Sequence, residues 1–211
     1  IDHGKSATFP CTGKLTASYH TPGTEIVGQA ALVSEKVITI DDLLISPVYI
    51  PSIDEAMNHY DFRAEYSKQT GIVLANTWDK NSLQTMVLAA RGDAAITGGN
   101  GGTVLTSTTT LYRTSATDLA AGIYAAVQAM VEKDVPGADD KSVFMRPAQY
   151  YLLAQATTLF NNQYAAGNGN YADGSILRIG GAKLVMTNQL PITNINTGLA
   201  KYQGDFSKTA A

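Results

Sequence analysis

The residues with the greatest capacity for chemistry lie in one short acidic segment. Glu55 and His59 are four positions apart, and Asp54, Asn58 and Asp61 surround them. Residues four apart share one face of a helix, so the pair has the spacing of helical metal ligands. Helical di-metal carboxylate sites, however, take Glu-x-x-His motifs from paired helices, and this sequence offers a single such segment. We therefore expect a solvated or interfacial charged face here and no metal centre.

Other candidate catalytic groups lack the partners that their chemistry requires. Asp41 and Asp42 are adjacent in a predicted strand, where neighbouring side chains point to opposite faces. Cys11, the single cysteine, lies on the apolar parity of its strand and is expected to pack rather than to react. The sequence contains no Gly-x-Ser-x-Gly nucleophile motif. The glycine-rich run at 98–102 lacks the Lys-Ser/Thr of a phosphate-binding loop, and we interpret it as a flexible connection. No enzyme and no cofactor are predicted.

Composition and charge exclude further classes of protein. Of the 211 residues 45% are hydrophobic and 16% are charged, against about 25% charged in average soluble domains. A chain with so little charge either covers much of its surface with partners or relies on Ser, Thr and Asn for solubility. The net charge of −3 is spread over mixed acidic and basic residues, without the basic stripe of a nucleic-acid-binding domain. No apolar run approaches the roughly 18 residues of a membrane span.

The first predicted element is a long hairpin. From Lys5 to Tyr19 apolar and polar residues alternate, which predicts a strand with one buried face and a reach of roughly 45 Å. Residues 21–24 (Thr-Pro-Gly-Thr) indicate a turn, and Glu35 to Ile45 form a returning strand. Such strands exceed the usual length of about 3–10 residues. An ordinary hairpin on a β-sandwich is one interpretation, and an arm that lies on another subunit is the one we favour.

A very long helix is predicted next. Ser52 and Glu55 form a capping box after Pro51, and no further proline occurs before Pro136. A helix from Ser52 to about Arg91 would be roughly 60 Å long, whereas a compact globule of this chain length is about 43 Å across. The subunit is therefore expected to be flat or elongated. The apolar stripe through Gly71, Leu74 and Trp78 also permits a coiled coil, which the glycine and the lack of flanking charges disfavour.

The remaining sequence predicts a mixed α/β unit. Its tail from Asn194 shows no strong pattern. The other predicted elements, in chain order, are a β-branched strand at 103–112, a helix through Leu119, Ile123, Val127 and Met130, a strand at 142–146, a helix opened by Pro147 and carrying Leu152, Ala156, Leu159 and Phe160, a polar loop at 161–174 and a hairpin at 177–186 that turns at Gly180-Gly181.

Particular residue runs resemble a known family. Residues 35–41 (Glu-Lys-Val-Ile-Thr-Ile-Asp) and 56–61 (Ala-Met-Asn-His-Tyr-Asp) closely resemble the major capsid protein of T7-like short-tailed phages. The resemblance is dense over residues 1 to about 75 and is thinner but collinear beyond. Further residues that carry it are Gly4–Ala7, Phe9-Pro10, Pro22-Gly23, Arg63, Glu65-Tyr66, Gln69, Gly71, Leu74-Ala75, Val135-Pro136, Val143-Phe144, Pro147 and Tyr150.

The resemblance implies an α+β, HK97-like capsid fold. We expect an N-terminal arm remnant and extended β-hairpin loop over 1–50, and a peripheral domain with the long spine helix and a following strand over 51–114. A mixed α/β axial domain is expected over 115–211. Members of the family have a longer N-terminal arm and further strands after the axial domain, so we expect this chain to be truncated at both ends.

The implied function is that of a structural subunit of an icosahedral phage head. The subunit would assemble with itself into hexamers and pentamers, in the host cytoplasm, and become part of the virion. It would enclose double-stranded DNA without binding it specifically, with portal and scaffolding proteins as partners, a cement protein as a further candidate, and no membrane contact. The alternatives are an encapsulin-like nanocompartment shell protein and a secreted β-rich binding module.

The expected functional residues are intersubunit contacts rather than catalytic groups. They are Phe9, Lys14, Tyr19, Thr21, Pro22, Glu25, Val33, Lys36, His59, Arg63 and Glu65.

The weak charge generates a prediction about DNA. Each phosphate that a protein neutralises adds salt-dependent affinity, and a chain at −3 without a basic cluster offers few such contacts. Purified subunits should therefore bind duplex DNA poorly in a filter-binding titration from about 50 to 200 mM salt, the range in which phosphate contacts show their slope. Sub-micromolar binding with a steep salt slope would contradict the prediction and favour a nucleic-acid function.

Overall fold

The computed structural model shows an α+β chain with a two-stranded arm, a long helix and a body of helices and small sheets. The residues described are 4–40, 42–57, 62–107, 111–135, 141–156, 169–170, 175–176 and 178–209. The elements are β1 (Ser6–Thr12), β2 (Val33–Thr39), α1 (Ser52–Met57), α2 (Phe62–Arg91), α3 (Leu111–Thr114), α4 (Ala116–Glu132), β3 (Ser142–Met145), α5 (Pro147–Ala154), β4 (Gly169–Asn170), β5 (Ser175–Ile176), β6 (Arg178–Ile179), β7 (Ala182–Met186), β8 (Asn194–Ile195), a 3₁₀ turn (Ala200–Tyr202) and β9 (Gly204–Asp205).

The arm, residues 5–40, is an antiparallel hairpin of β1 and β2. Its register runs from Ser6 opposite Thr39 to Thr12 opposite Val33. Backbone hydrogen bonds continue the pairing by one residue in each direction, with N···O distances of 2.8 and 2.9 Å. The predicted hairpin is confirmed in its direction and in its pairing.

A side chain holds the two halves of the arm together nearer the turn. Gln29 Oε1 accepts a hydrogen bond from the Thr16 backbone N–H at 3.1 Å, and Gln29 Nε2 donates to the Thr16 carbonyl. The Gln29 amide therefore takes the place of a backbone partner where the strand ladder has ended. The predicted turn at 21–24 is confirmed: the Thr24 N–H donates to Thr21 O at 3.3 Å, and Gly23 has a φ of 91°.

The predicted strands are longer than the observed ones. The alternation from Lys5 to Tyr19 yields a strand only as far as Thr12, and the strand predicted from Glu35 to Ile45 ends at Thr39. Alternation indicates which face of a chain is apolar, but a ladder also needs a facing segment in register. Among the described residues, 14–20 and 42–50 have no strand partner, so these stretches are not strands.

The long helix begins and ends where the sequence predicts. α1 begins at Ser52 and α2 ends at Arg91, while residues 58–61 between them lie outside the described part. The predicted apolar stripe is wrong in position, because Gly71 and Trp78 are exposed. The less exposed side of α2 follows steps of four and three through positions 70, 74, 77, 81, 84 and 88.

A small core lies around α4. Its apolar face is buried through Leu119, Ala120 and Ile123, as the helical spacing predicts. The Ser115 hydroxyl accepts a hydrogen bond from the Asp118 N–H at 3.3 Å and caps the helix. The same core cluster contains Met145, Leu153, Ala154, Ile179 and Leu184 from β3, α5, β6 and β7.

A three-stranded sheet covers this core in the order β3-β7-β6. β3 is parallel to β7, and β6 and β7 form an antiparallel hairpin. Gly180 and Gly181 have φ values of 58° and 81°, which is the backbone of a type I′ turn. The strand predicted at 142–146 and the hairpin across Gly180-Gly181 are therefore confirmed, as is the helix opened by Pro147.

Some predictions for this unit are wrong. Residues 103–107 form no strand and 111–114 form helix α3, because β-branched residues favour a strand only where a facing strand is available. The helix from Pro147 ends at Ala154, which leaves Ala156 beyond it, and Leu159 and Phe160 lie outside the described residues. The predicted polar loop contains β4, which pairs with β5.

The glycine-rich run at 98–102 is a connection, but its contacts are more specific than the sequence suggests. Lys133 Nζ donates to Gly101 O at 2.7 Å and to Thr103 Oγ1 at 2.6 Å. Asn100 Nδ2 donates to Lys133 O at 2.8 Å. A Cβ on Gly102 would lie 2.1 Å from Ala90 O, so this glycine permits close approach to the end of α2.

The tail from Asn194 is ordered by two arginines that the sequence analysis missed. Arg91 donates to Asp205 O, and Arg113 donates to Ser207 O and Thr209 O. Phe206 is fully buried, and the Arg91 guanidinium lies 5.6 Å from the centre of its ring. The side-chain and backbone hydrogen bonds from Ser207, helped by the nearby cationic side chains, lower the pKa of Asp205 below its usual value.

A pair of glycine substitutions tests the packing at the end of α2. Gly102→Ala should destabilise the unassembled subunit by about 1–3 kcal/mol, because its Cβ would overlap the Ala90 carbonyl. Gly71→Ala is the matched control, since it lies in α2 with no atom within 4 Å of the added Cβ. This control should stabilise by about 0.5–1 kcal/mol through helix propensity. Urea unfolding measures both, and equal midpoints for the two variants would contradict the packing described here.

Candidate intersubunit surfaces

The arm tip, residues 15–31, is the most exposed part of the described chain. Every residue from Lys14 to Val33 is exposed, and Tyr19 is fully so, at 106% of its reference area. Leu15, Ile26 and Val27 are also large, apolar and exposed. Single exposed apolar side chains are ordinary on proteins, but a contiguous apolar group of this kind usually marks an interaction surface.

The arm ladder itself has one more covered face. Ala7, Cys11 and Gly13 are half-buried, in agreement with the predicted apolar parity, whereas Phe9 on the same parity is 52% exposed. Cys11 Sγ lies 3.9 Å from Phe9 O and is partly covered by its neighbours. The connection from the arm to α1 adds further exposed apolar groups, among them Leu43 and Tyr49.

A second exposed apolar surface lies along the N-terminal part of α2. Trp78 is 70% exposed, and Tyr66, Ile72 and Val73 are also exposed. The rings of Phe62 and Tyr66 stack with centroids 6.4 Å apart. Of the thirty residues of α2 only Leu83 and Gln84 are buried. Much of the apolar surface of this helix is therefore not covered by the described part of the chain.

The predicted contact residues fall into two groups on these surfaces. On the arm, Phe9 is opposite Lys36 and Thr12 is opposite Val33 in the ladder. Tyr19, Thr21, Pro22 and Glu25 are at or near the turn, and Lys14 is considered with the body contacts below.

The remaining predicted contacts are His59, Arg63 and Glu65. Arg63 and Glu65 are on the first turn of α2, and Glu65 Oε1 accepts a hydrogen bond from Gln69 Nε2 at 3.3 Å. His59 lies outside the described residues, as do Asn58 and Asp61 of the acidic segment. Elsewhere in the described chain, no group of three His, Cys, Asp or Glu residues has the spacing of a metal site.

Lys14 makes a contact within its own chain. Its Nζ lies 3.6 Å from Asp134 Oδ2, just beyond the end of α4, and both side chains are largely exposed. The arm therefore contacts the body at its middle.

An open apolar groove between α2 and α4 was not anticipated from the sequence. Its cavity of about 430 Å³ is lined by both helices, residues 103–105 and β3, with Lys208 and Thr209 at one side. The spacing of Leu83, Met86 and Val87 on α2 is the sequence signal that could have indicated it. None of the helices in the described ranges is long and apolar enough to cross a bilayer.

Comparison with known sequences identifies relatives of this chain. The model of the Gp10A-like major capsid protein family matches residues 8–211. The major capsid protein of Enterobacteria phage T3 is 35% identical over 167 residues, which are 74% of this chain and 48% of that protein. The major capsid protein of Escherichia phage T7 is 47% identical over 81 residues, 37% of this chain and 24% of that protein. The chain thus matches about half or less of the length of these relatives.

Solved structures are similar over almost the whole chain. The capsid structure of the Cyanophage P-SCSP1u aligns with a TM-score of 0.84 and 38% identity, covering 98% of this chain and 66% of that one. The mature capsid of bacteriophage PhiM1 aligns with a TM-score of 0.78 and 20% identity, covering 97% and 64% of the two chains. The latter similarity concerns the fold alone.

A long helix, an extended hairpin arm and a mixed α/β unit define the HK97-like fold of phage capsid proteins, as the sequence analysis expected. Within that class, the chain belongs to the Gp10A-like major capsid protein family.

Substitutions at two positions on α2 distinguish an interface residue from a core residue. Trp78→Ala should change the free energy of unfolding of the unassembled subunit by no more than about 0.5 kcal/mol, because Trp78 is largely exposed. Leu83→Ala, on the same helix but 7% exposed, should cost about 2–5 kcal/mol. Trp78→Ala should nevertheless lower the yield of assembled particles, measured by light scattering. Normal assembly of Trp78→Ala, or a large loss of stability, would contradict an interface role for this face.

Proposed function

We propose that this chain is a structural subunit of an icosahedral phage head. Copies of it assemble into hexamers and pentamers, and these form the shell of the virion. Membership of the major capsid protein family and the HK97-like fold support this proposal. The observation that carries it is the arm tip, in which seventeen consecutive residues are exposed and several of them are large and apolar.

The arm acts by packing on a neighbouring subunit. Burial of apolar surface contributes about 25 cal/mol per Å², so covering Tyr19, Ile26 and Val27 supplies a driving force that the isolated chain lacks. The arm also offers backbone groups, because β1 and β2 pair only with each other among the described strands. An unpaired strand edge binds another chain by backbone hydrogen bonding. Both terms favour contact between copies.

The contact residues follow from the two exposed surfaces. The arm supplies Phe9, Tyr19, Thr21, Pro22, Glu25, Val33 and Lys36, and α2 supplies Arg63 and Glu65. His59, which lies outside the described residues, is a further contact predicted from the sequence. Lys14 acts from the arm as well, although it contacts Asp134 in its own subunit. Glu25 is the single charged residue of the arm tip, apart from His20. Assembly therefore relies on many modest contacts rather than on a few buried ion pairs.

The parts of the chain have separate roles in the shell. Residues 1–50 form the arm and extended loop, 51–114 the peripheral domain with its spine helix, and 115–211 the axial domain near the capsomer centre. The strand expected at the end of the peripheral segment is replaced by α3. The buried residues of the core around α4 all belong to the proposed axial segment, and Tyr112 packs against them from the end of the proposed peripheral segment.

The shell encloses double-stranded DNA without specific binding. A net charge of −3 and mixed surface charge suit an inner wall that does not attach to phosphate. The protein acts without a cofactor and as a structural subunit rather than an enzyme. Portal and scaffolding proteins are its further partners during assembly in the host cytoplasm, and a cement protein is a candidate partner on the outside. An encapsulin-like shell and a secreted binding module find no support in the similarities described above.

Replacing the arm tip tests the proposal. Substituting an Asn-Gly turn for residues 16–29 keeps the register, because positions 15 and 30 then flank the turn as a hydrogen-bonded pair, in phase with the pair of Gly13 and Leu32. The shortened subunit should remain folded by circular dichroism and urea unfolding, since the removed residues are exposed. It should fail to form closed shells in size-exclusion chromatography and electron microscopy.

The control for this experiment is Lys183→Ala, an exposed position of β7 that lies on neither proposed surface. It should assemble like the unmodified protein. Closed shells of normal size from the shortened subunit would contradict the role of the arm.

A further inference from the structure

Three segments that are far apart in sequence meet at one point beside the arm. They are the middle of the arm at Gly13, Lys14 and Leu32, the connection that follows α2, and the residues just beyond α4. The contacts join the arm to the body at a position from which the arm tip extends further. Neither the sequence nor the family comparison assigns a role to this point.

The connection after α2 is attached firmly to α4. Lys133 Nζ donates to Gly101 O and to Thr103 Oγ1, at 2.7 and 2.6 Å. Asn100 Nδ2 returns a hydrogen bond to Lys133 O at 2.8 Å. Hydrogen bonds to a charged donor are stronger than neutral ones, so this reciprocal arrangement fixes the connection against the body. The neighbouring Ile96 is thereby held in place relative to α4.

The arm packs on this fixed point through a small apolar seat. A Cβ on Gly13 would lie 3.4 Å from Ile96 Cδ1 and 3.1 Å from Leu32 Cβ. The Gly13 N–H donates to Leu32 O at 2.9 Å, so both halves of the arm are joined at this level. The added Cβ would be tight against Leu32, whereas its distance from Ile96 is an ordinary van der Waals contact, so Ile96 packs directly beside the Gly13 backbone.

An ion pair lies beside the apolar seat. Lys14 Nζ is 3.6 Å from Asp134 Oδ2. Asp134 has a φ of 57°, a left-handed conformation that aspartate tolerates better than most residues, and its N–H donates to Val131 O at 2.9 Å. This conformation ends α4 and places the carboxylate next to the arm. The pair is exposed on both sides, so salt weakens it and it separates easily.

Beyond this point the hydrogen bonds of the described tip residues are all within the arm. They join Gln29 to Thr16 and Thr24 to Thr21. The direction in which the tip extends is therefore determined where the arm meets the body.

We propose that Gly13, Lys14, Leu32, Ile96 and Asp134 form a releasable latch that sets the direction of the arm tip in the free subunit. The latch orients the tip for docking on a neighbour and opens when docking requires another angle. This inference rests on the proposed function, in which the tip contacts a neighbouring subunit. Because one exposed ion pair and one small apolar contact hold the latch, its closed population depends on ionic strength.

Charge reversal and charge exchange test the latch. K14E and D134K each place like charges at the contact, whereas the double variant K14E/D134K restores an opposite pair. Spin labels at Ala30→Cys in the tip and Ala121→Cys on α4, both exposed, report the tip-to-body distance in a Cys11→Ser background. The distance distribution is measured by electron paramagnetic resonance on unassembled subunits, and light scattering measures assembly of the same variants.

Each single reversal should broaden the distance distribution. It should lower the ratio of closed to open latch by roughly two- to fivefold, which is the range for exposed ion pairs. The double variant should restore the original distribution, and about 1 M salt should broaden that of the unmodified protein. Ile96→Ala should broaden it without any change in charge. Unchanged distributions in both single variants, or no recovery in the double variant, would overturn the latch.

The two readouts separate the latch from the proposed function. Assembly should slow in the single variants and recover in the double variant. If the distances respond as expected while assembly is unchanged in every variant, the latch is supported and the role of the arm in assembly is contradicted. If the tip replacement abolishes assembly while the distances do not respond, the proposed function stands and the latch is wrong.

Discussion

The main group of buried apolar side chains in the described chain lies around α4, and Leu83, Leu190 and Phe206 are buried outside it. Around α4, Leu119 and Ile123 pack against the strands and α5 that follow them in sequence. The arm and the first half of α2 have no comparable cover, so their tyrosines, tryptophan and branched side chains remain at the surface. Since exposed apolar area of this extent is unfavourable in water, cover by other protein surface would stabilise these elements further.

The same constraint explains the shape of the elements. A strand that packs on its own body can be short, whereas an arm that reaches a neighbour must be long and must hold itself together. The Gln29 side chain and the turn at 21–24 provide that internal support where no body lies beneath. The long helix likewise connects distant regions because only its C-terminal part, near Leu83, lies in a core. Folding therefore depends on the parts of the arm and of α2 that contact the body, and the proposed association depends on their exposed parts.

Local patterns predicted local structure well. The limits of the long helix, the helix through Leu119 and the hairpin at Gly180-Gly181 all follow from periodicity, capping and turn chemistry. The strand expected at 103–112 failed because strand formation depends on a partner that propensity does not specify. The carbonyls bound by Arg91 and Arg113 could not be foreseen, since backbone acceptors carry no signature in a sequence. The contact residues stay predictions, because their partners belong to other copies of the chain.

The hydrogen bonds from the two arginines to the C-terminal segment have an evolutionary consequence. Arg91 and Arg113 bind carbonyl oxygens of Asp205, Ser207 and Thr209, and a carbonyl is present whatever side chain a position carries. Substitutions at the exposed positions of this segment should therefore leave the attachment intact, whereas substitution of the buried Phe206 should weaken the packing of the segment.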